Sequence, residues 1–199
     1  MARKSAFEKF RETEREIRRE YIIDSAMALF EIIPFHKIGM RDIAEEAGVS
    51  AASIYRYFSG RDDLFAEALL LNVADIRQRV KNRTRKNRLS FEELGELAVN
   101  YFLEHETTFQ LLCHFMIKKD ISSNAKRKFN LAQCKFLNAY ETLIERNRST
   151  EDIRELLESF FAALIGVVLT FRNYPGKNQT EIKALMHHHA RIIASAFNN

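Results

Sequence analysis

The stretch from Met40 to Phe58, MRDIAEEAGVSAASIYRYF, leaves this chain few ways to fold. Met40, Ile43, Ala44 and Ala47 recur at helical spacing, and Gly48 follows where a helix that ends in a left-handed residue needs it. Val49 is a lone apolar residue placed to plug the angle between two helices, and Ser50 is placed to cap a second helix that starts at Ala51. Small Ala44 lets the two helices approach closely, while Ile54 and Phe58, four residues apart, share the face that packs on the first. At about 100° per residue, Ala52 and Arg56 fall on the opposite face, flanked by Ser53 and Tyr55.

The chemistry of that outer face suits DNA. Arg56 has the planar fork for a bidentate contact to guanine, and Ala51 and Ala52 are small enough for close approach or for a thymine methyl. The hydroxyls of Ser53, Tyr55 and Tyr57 are suited to phosphate. The plain alternative is a packed helical hairpin with a solvated arginine. A tight Gly turn, a Ser cap, a small Ala and an Arg-bearing outer face together favour the DNA reading.

Residues Tyr21 to Leu64 resemble the DNA-binding domain of the TetR family of bacterial transcriptional repressors, through IIDSAMALF, PF, MRDIAEEAGVSAASIYRYF and SGRDDL. The resemblance implies base contacts from Ala51, Ala52 and Arg56. It implies phosphate contacts from Ser50, Ser53, Tyr57 and Arg61, and Arg41 and Tyr55 join the candidate DNA-binding set. Two positions depart from the family pattern. Pro34 stands before Phe35 where a glycine is usual, and Gly39 caps the first helix of the pair where Thr or Ser is usual, so that position brings no hydroxyl.

The remainder reads as helix throughout. In 199 residues, 46% of them hydrophobic, there are only two prolines and six glycines, enough apolar material for one or two cores and few interruptions. The predicted fold class is all-α, with an N-terminal three-helix helix-turn-helix DNA-binding domain over 1–60. A helical effector-binding and dimerisation domain follows over 61–199, entered by a connector helix over about 61–83. The net charge of +4 resides in the first part: Met1 to Arg88 holds eighteen Lys/Arg against fourteen Asp/Glu, and the rest is balanced. That asymmetry suits a module facing phosphates.

In chain order, Ala2 to Glu20 is dense in both charges and predicts an exposed helix running into the first core helix. Arg3 and Lys4 are either a frayed terminus or an arm for the minor groove. Ile22, Ala26, Leu29, Phe30 and Ile33 form a stripe that ends at Pro34, with Phe35 and Ile38 as core plugs in the connection. The run Arg77 to Arg88, seven basic residues and no acid, is either a solvated connector end or a second phosphate surface. Further helices are predicted from Phe91 to Phe102, around Phe109 to Ile117, and from Phe129 to near Asn147. Two more follow, from Ile153 to about Asn173 behind a cap at Ser149, and from about Thr180 to Phe197. The apolar band of the Ile153 helix is too wide for one buried side and implies a second partner. In TetR-like proteins the last two long helices pair with their symmetry mates, which implies a homodimer and a palindromic operator.

The resemblance further implies a small-molecule effector held in the C-terminal helices. Phe102, His105, Phe109, Cys113, His114 and Tyr140 mix bulky walls with a few polar groups and are the candidate lining, although a packed core with edge histidines would show the same residues. His187, His188 and His189 point about 100° apart on a helix and cannot converge on one ion, so no metal and no cofactor is expected. Cys113 and Cys134 read as buried, inert, reduced thiols in a cytoplasmic protein, with a redox switch through the pair as the alternative, and no membrane-length apolar run appears. No nucleophile elbow, phosphate-cradling Gly loop or dinucleotide fingerprint marks an enzyme. The expected function is therefore a transcriptional repressor released by its effector. An activator of the same architecture, or a helical adaptor without sequence-specific DNA binding, are the alternatives.

Overall fold

The computed structural model describes residues 5–83, 89–141, 144 and 150–197. The Arg3–Lys4 arm, Leu143, the region near Asn147 and the Ser149 cap lie outside them, as do the side chains of the basic run from Arg77 to Arg88. The fold is all-α. Its helices are α1 (Ala6–Ile32), α2 (Met40–Glu46), α3 (Ala51–Tyr55), α4 (Arg61–Arg83), α5 (Phe91–Glu104), α6 (Glu106–Ile117), α7 (Ser123–Glu141), α8 (Thr150–Phe171) and α9 (Gln179–Phe197). Among the described residues, extended pairing is limited to an isolated bridge between Leu89 and Ile144.

Two compact units emerge, one formed by 1–71 with 110–130 and the other by 72–109 with 131–199. The division in space therefore does not follow a linear cut at residue 60. Residues 61–71 and a segment from α6 to α7 pack with the N-terminal helices.

In the first unit, α1 starts at Ser5, whose hydroxyl accepts the Glu8 N–H while the Glu8 carboxylate accepts the Ser5 N–H, a complete capping box. The helix stays exposed until Ile22, then buries Ile22, Ile23, Ala26, Leu29 and Phe30. It stops before Pro34, whose ring disfavours helical conformation in the preceding residue; Ile33 is extended. Ile43, Ile54, Phe58, Leu64 and Phe65 close over that stripe, and Leu111, Phe115 and Phe129 join the same core. Phe35 is only partly buried, yet its ring sits 5.1 Å from Phe30 and 4.9 Å from Phe65, so the plug expected from the sequence is an aromatic one.

The second unit is built on α5, α8 and α9. Phe91, Phe160 and Phe197 form a triangle of rings with centroids 5.0–5.4 Å apart. A methyl group on Gly95 would meet the Phe160 ring at 3.3 Å and Ala190 at 3.7 Å, so glycine is what allows α5 this close to both neighbours. On α9, Ile182, Met186, Ala190 and Ala194 repeat every four residues as a buried seam. The start of α9 is fixed by a box that periodicity alone does not reveal, in which Asn178 and Glu181 exchange backbone and side-chain hydrogen bonds of 2.9 and 3.0 Å. The wide apolar band of α8 has a local explanation: Leu157, Phe160, Phe161, Leu164, Val167 and Val168 are already buried within the chain. Because α8 packs against both α5 and α9, the width of that band does not require a second copy.

Candidate nucleic-acid interface

The turn between α2 and α3 is set by two residues. Gly48 has φ +62°, the left-handed region that only glycine enters without strain, and two hydrogen bonds close the helix end, from Gly48 N–H to Glu45 O (3.0 Å) and from Val49 N–H to Ala44 O (2.9 Å). Ser50 then accepts the Ser53 N–H at 3.2 Å and caps α3. At the other end of α2, Gly39 supplies no side chain, but its N–H donates to the Asp42 carboxylate at 2.7 Å. Gly48→Ala is expected to lower stability by about 1–2 kcal/mol through the left-handed backbone alone, measured by urea denaturation. A variant as stable as the parent would mean the turn can relax out of this geometry.

The α-helix proper of α3 ends at Tyr55, shorter than the 51–58 expected. Arg56 and Tyr57 bond back three residues, to Ser53 O (3.3 Å) and Ile54 O (2.8 Å), so the last turn tightens before Phe58 returns to Ile54 O at 3.0 Å. Ile54 and Phe58 are fully buried, and Phe58 is covered by the guanidinium of Arg19 and the ammonium of Lys128 at 5.4 and 5.6 Å from its ring. Rotation about α3 therefore has no freedom, and the opposite face is fixed outward. On it, Arg41, Ser50, Ala52, Tyr55 and Arg56 are exposed. Ala51 and Tyr57 are half-buried against the core, and Ser53 is half-buried with its hydroxyl 2.9 Å from that of Ser50.

Arg61 is placed differently from the others. Its Nη1 donates to the carbonyl oxygens of Phe35 (3.2 Å) and Ile38 (2.9 Å), and the guanidinium lies 4.7 Å over the Phe35 ring. It braces the α1–α2 connection against the start of α4. Beside it, Asp62 pairs with Lys118 at 2.6 Å, and Asp63 accepts from Ser59 N–H (2.8 Å), Ser59 hydroxyl (3.0 Å) and Asn124 (2.7 Å) while pairing with Lys128 at 2.6 Å. Burial alone would raise the Asp63 pKa, but Lys128 and Ser59 outweigh it and hold the carboxyl below its ordinary value. The sequence signal for this cluster was the acidic first turn after Ser59-Gly60, which reads only as helix-end chemistry.

The candidate ligand residues do not form one group. Phe102 and Phe109 pack together at 5.2 Å, His105 lies against Tyr101 at 4.4 Å, and Tyr140 packs against Phe136 and Phe161, all in the second unit. Cys113 and His114 belong to the first; Cys113 is half-buried and Cys134 is exposed, so the expected burial of both thiols does not hold. The His114 ring lies 4.4 Å from Phe35, and its Nε2 is 3.5 Å from Asp62 Oδ1, too long for a well-formed hydrogen bond. Burial pushes its pKa below the usual value, against the opposing pull of Asp62. Burial, with Tyr101 alongside, raises the pKa of the Tyr140 phenol, so its stabilisation is complete below the ordinary value of 10.0 and is lost as pH rises above it. Tyr140→Phe should therefore soften the alkaline fall in the urea midpoint above pH 10; an equally steep fall would assign it to other groups. The three consecutive histidines take three environments. His187 bonds Asn100 at 3.1 Å, His188 is exposed, and His189 stacks on Phe171 at 4.5 Å.

Residues 22–68 match the family model of bacterial regulatory proteins, tetR family. Over these residues the chain is similar to the DNA-binding domain of that family. The HTH-type transcriptional repressor KstR of Rhodococcus jostii (strain RHA1) is 34% identical over 77 residues, which are 39% of this chain and 36% of that protein, so the match spans about a third of the relative's length. A TetR transcriptional regulator from Rhodococcus sp. RHA1 superposes with a TM-score of 0.66 at 15% identity, over 90% of this chain and 97% of that one. FadR from Bacillus subtilis, solved with stearoyl-CoA, superposes at 0.61 and 16% identity over 88% and 97%. At such identities the likeness is one of fold, over about nine-tenths of this chain. No described helix is long and apolar enough to cross a membrane.

Proposed function

We propose that the chain is a DNA-binding transcriptional repressor that reads a palindromic operator as a homodimer and is released by a small-molecule effector. The observation that carries the reading is the exposed face of α3, where Ala52 and Arg56 stand opposite the buried Ile54 and Phe58. Arg56 is the base reader through its fork on guanine, with Ala52 and, at its edge, Ala51 beside it. Ser50, Ser53, Tyr55, Tyr57 and Arg41 position the backbone. Arg61, tied to two carbonyls, acts by setting the angle of the reading head and adds charge toward the phosphates.

Dimerisation is supported by the outer faces of the last two helices. On α8, exposed Ser159, Ala162 and Gly166 lead to Leu169 at 52% exposure, and α9 exposes Ile192 to the same extent. Small residues beside isolated apolar ones are what close packing of a helix pair against its mate requires. The phenylalanine-rich interior of the second unit favours an apolar effector, and Phe102, His105, Phe109 and Tyr140 are the candidate contacts there. Because a solved TetR-fold neighbour holds stearoyl-CoA, long-chain acyl-CoA is the first effector class to screen.

The test is a titration of the purified chain into labelled DNA from upstream of its own gene and into a scrambled control, at one stated salt concentration. Tight binding to the first alone is expected, with protected half-sites about 34–36 Å apart or a multiple of that spacing. Equal, weak binding to both DNAs would favour the adaptor reading.

A further inference from the structure

Between the N-terminal half of α1 and the end of α3 lies an open groove of about 650 Å3. Arg11, Arg15 and Arg18 line one wall, and Arg56 and Tyr57 the other. At positions i, i+4 and i+7 the three α1 arginines form one stripe along the helix. All three lie before residue 22, outside residues 22–68 that match the family model.

Three carboxylates share the groove, Glu8, Glu12 and Glu14. Glu8 is held by the Ser5 N–H in the helix cap, and Glu14 is paired with Arg18 at 2.7 Å. The Arg11 guanidinium sits 5.9 Å over the exposed Phe7 ring, while Arg15 and Arg56 have no hydrogen bond or ion pair among the described residues. Four arginines against three carboxylates leave the groove an excess of one positive charge, and its guanidinium stripe runs along α1 up to Arg56, the proposed base reader. A chain of phosphates is the polyanion that continues from a base edge in the geometry such a stripe needs.

We propose that Arg11, Arg15 and Arg18 grip the DNA sugar-phosphate backbone flanking the base pairs read by Arg56, making the N-terminal half of α1 a second DNA-contacting element. This rests on the DNA-binding reading above. Phosphate contacts of this kind strengthen binding to all sequences alike and show themselves in the salt dependence.

The experiment compares the full-length chain with Arg11→Gln, with the triple variant Arg11→Gln/Arg15→Gln/Arg18→Gln and with Arg56→Ala, on the upstream DNA and the scrambled control across a salt series. Because the three side chains are exposed, circular dichroism and the urea midpoint should be unchanged. Each phosphate left without its arginine flattens the slope of log affinity against log salt by about 0.9. The triple variant should flatten it by about 2–3 per reading head, the single variant by about one, and both should keep the ratio of upstream to scrambled affinity. Ethylation of phosphates flanking the Arg56 base pairs should weaken the parent chain more than the triple variant, which has already lost part of its grip on them. Arg56→Ala should do the converse, losing the ratio while keeping most of the slope. An unchanged slope in the triple variant, with specific binding intact in the parent, would overturn the proposal alone and make the groove an ion-pair lattice that merely solubilises α1. A parent chain that prefers neither DNA would overturn the reading on which the proposal rests.

Discussion

Replacing Asp63 with alanine should lower the stability of the chain by about 3–5 kcal/mol, the scale of removing one partner from a buried ion pair. The carboxylate is 2% exposed and serves four groups at once, two on Ser59, one on Asn124 and the ammonium of Lys128. Removing it takes from the Lys128 ammonium, which lies beside Phe58, one of its two carboxylate partners, leaving Glu67 at 2.5 Å, and it frees the Ser59 N–H ahead of α4 and the Asn124 amide, part-buried donors left without their acceptor. Asp63→Asn keeps the shape and some of the hydrogen bonding but leaves Lys128 with Glu67 as its carboxylate partner, so it should fall between the parent and Asp63→Ala. The pH dependence carries a second signature. A carboxyl held below its ordinary pKa contributes stability that is complete above that value, 3.8, and is lost as pH falls below it toward the lower folded value. The urea midpoint of the parent should therefore drop below about pH 4 more steeply than that of Asp63→Asn. A loss under about 1 kcal/mol for Asp63→Ala would place the cluster in the class of solvent-screened surface pairs instead.

Arg56→Ala carries the largest expected effect on binding. A bidentate arginine on guanine discriminates by about 1–3 kcal/mol, tenfold for each 1.4 kcal/mol, and in the proposed homodimer on a palindrome the loss doubles. Stability should move by no more than about 0.5 kcal/mol, because an exposed side chain without internal partners supports no packing. This separates Arg56 from Arg61. Arg61→Ala removes hydrogen bonds to the Phe35 and Ile38 carbonyls and a cation lying over an aromatic face, so it should weaken folding and DNA binding together.

The features legible in the sequence are those decided within a few residues. Gly48 requires its turn because of backbone sterics, Ser50 caps whatever follows it, and Ile54 and Phe58 share a face by arithmetic, so α2, α3 and the outward Arg56 were all readable. The extent of α4 from Arg61 to Arg83 followed from unbroken periodicity and an acidic first turn. Features decided between distant segments were not readable. Nothing in the periodicity of α6 and α7 says that Leu111, Phe115 and Phe129 belong to the same core as Ile43. For the same reason proximity in sequence groups His114 with Phe109, although five helical positions separate them by about 140° and turn them to different neighbours. The arginine stripe at 11, 15 and 18 was visible as charge, but its meaning depends on α1 lying beside Arg56. The width of the α8 band pointed to a second partner because the sequence does not reveal that α5 and α9 flank it together.

The most direct test of the central claim is a cycle of two changes on the operator, once it is located. The guanine assigned to Arg56 is replaced base pair by base pair, and affinity is measured at fixed salt for the parent chain and for Arg56→Ala. If Arg56 reads that base, the parent loses about 1–3 kcal/mol on each replacement, while Arg56→Ala binds all four versions alike. If Arg56→Ala keeps the parent's preference at every position, the outward face of α3 is not the reading surface and the account of this chain as a sequence-reading regulator fails with it.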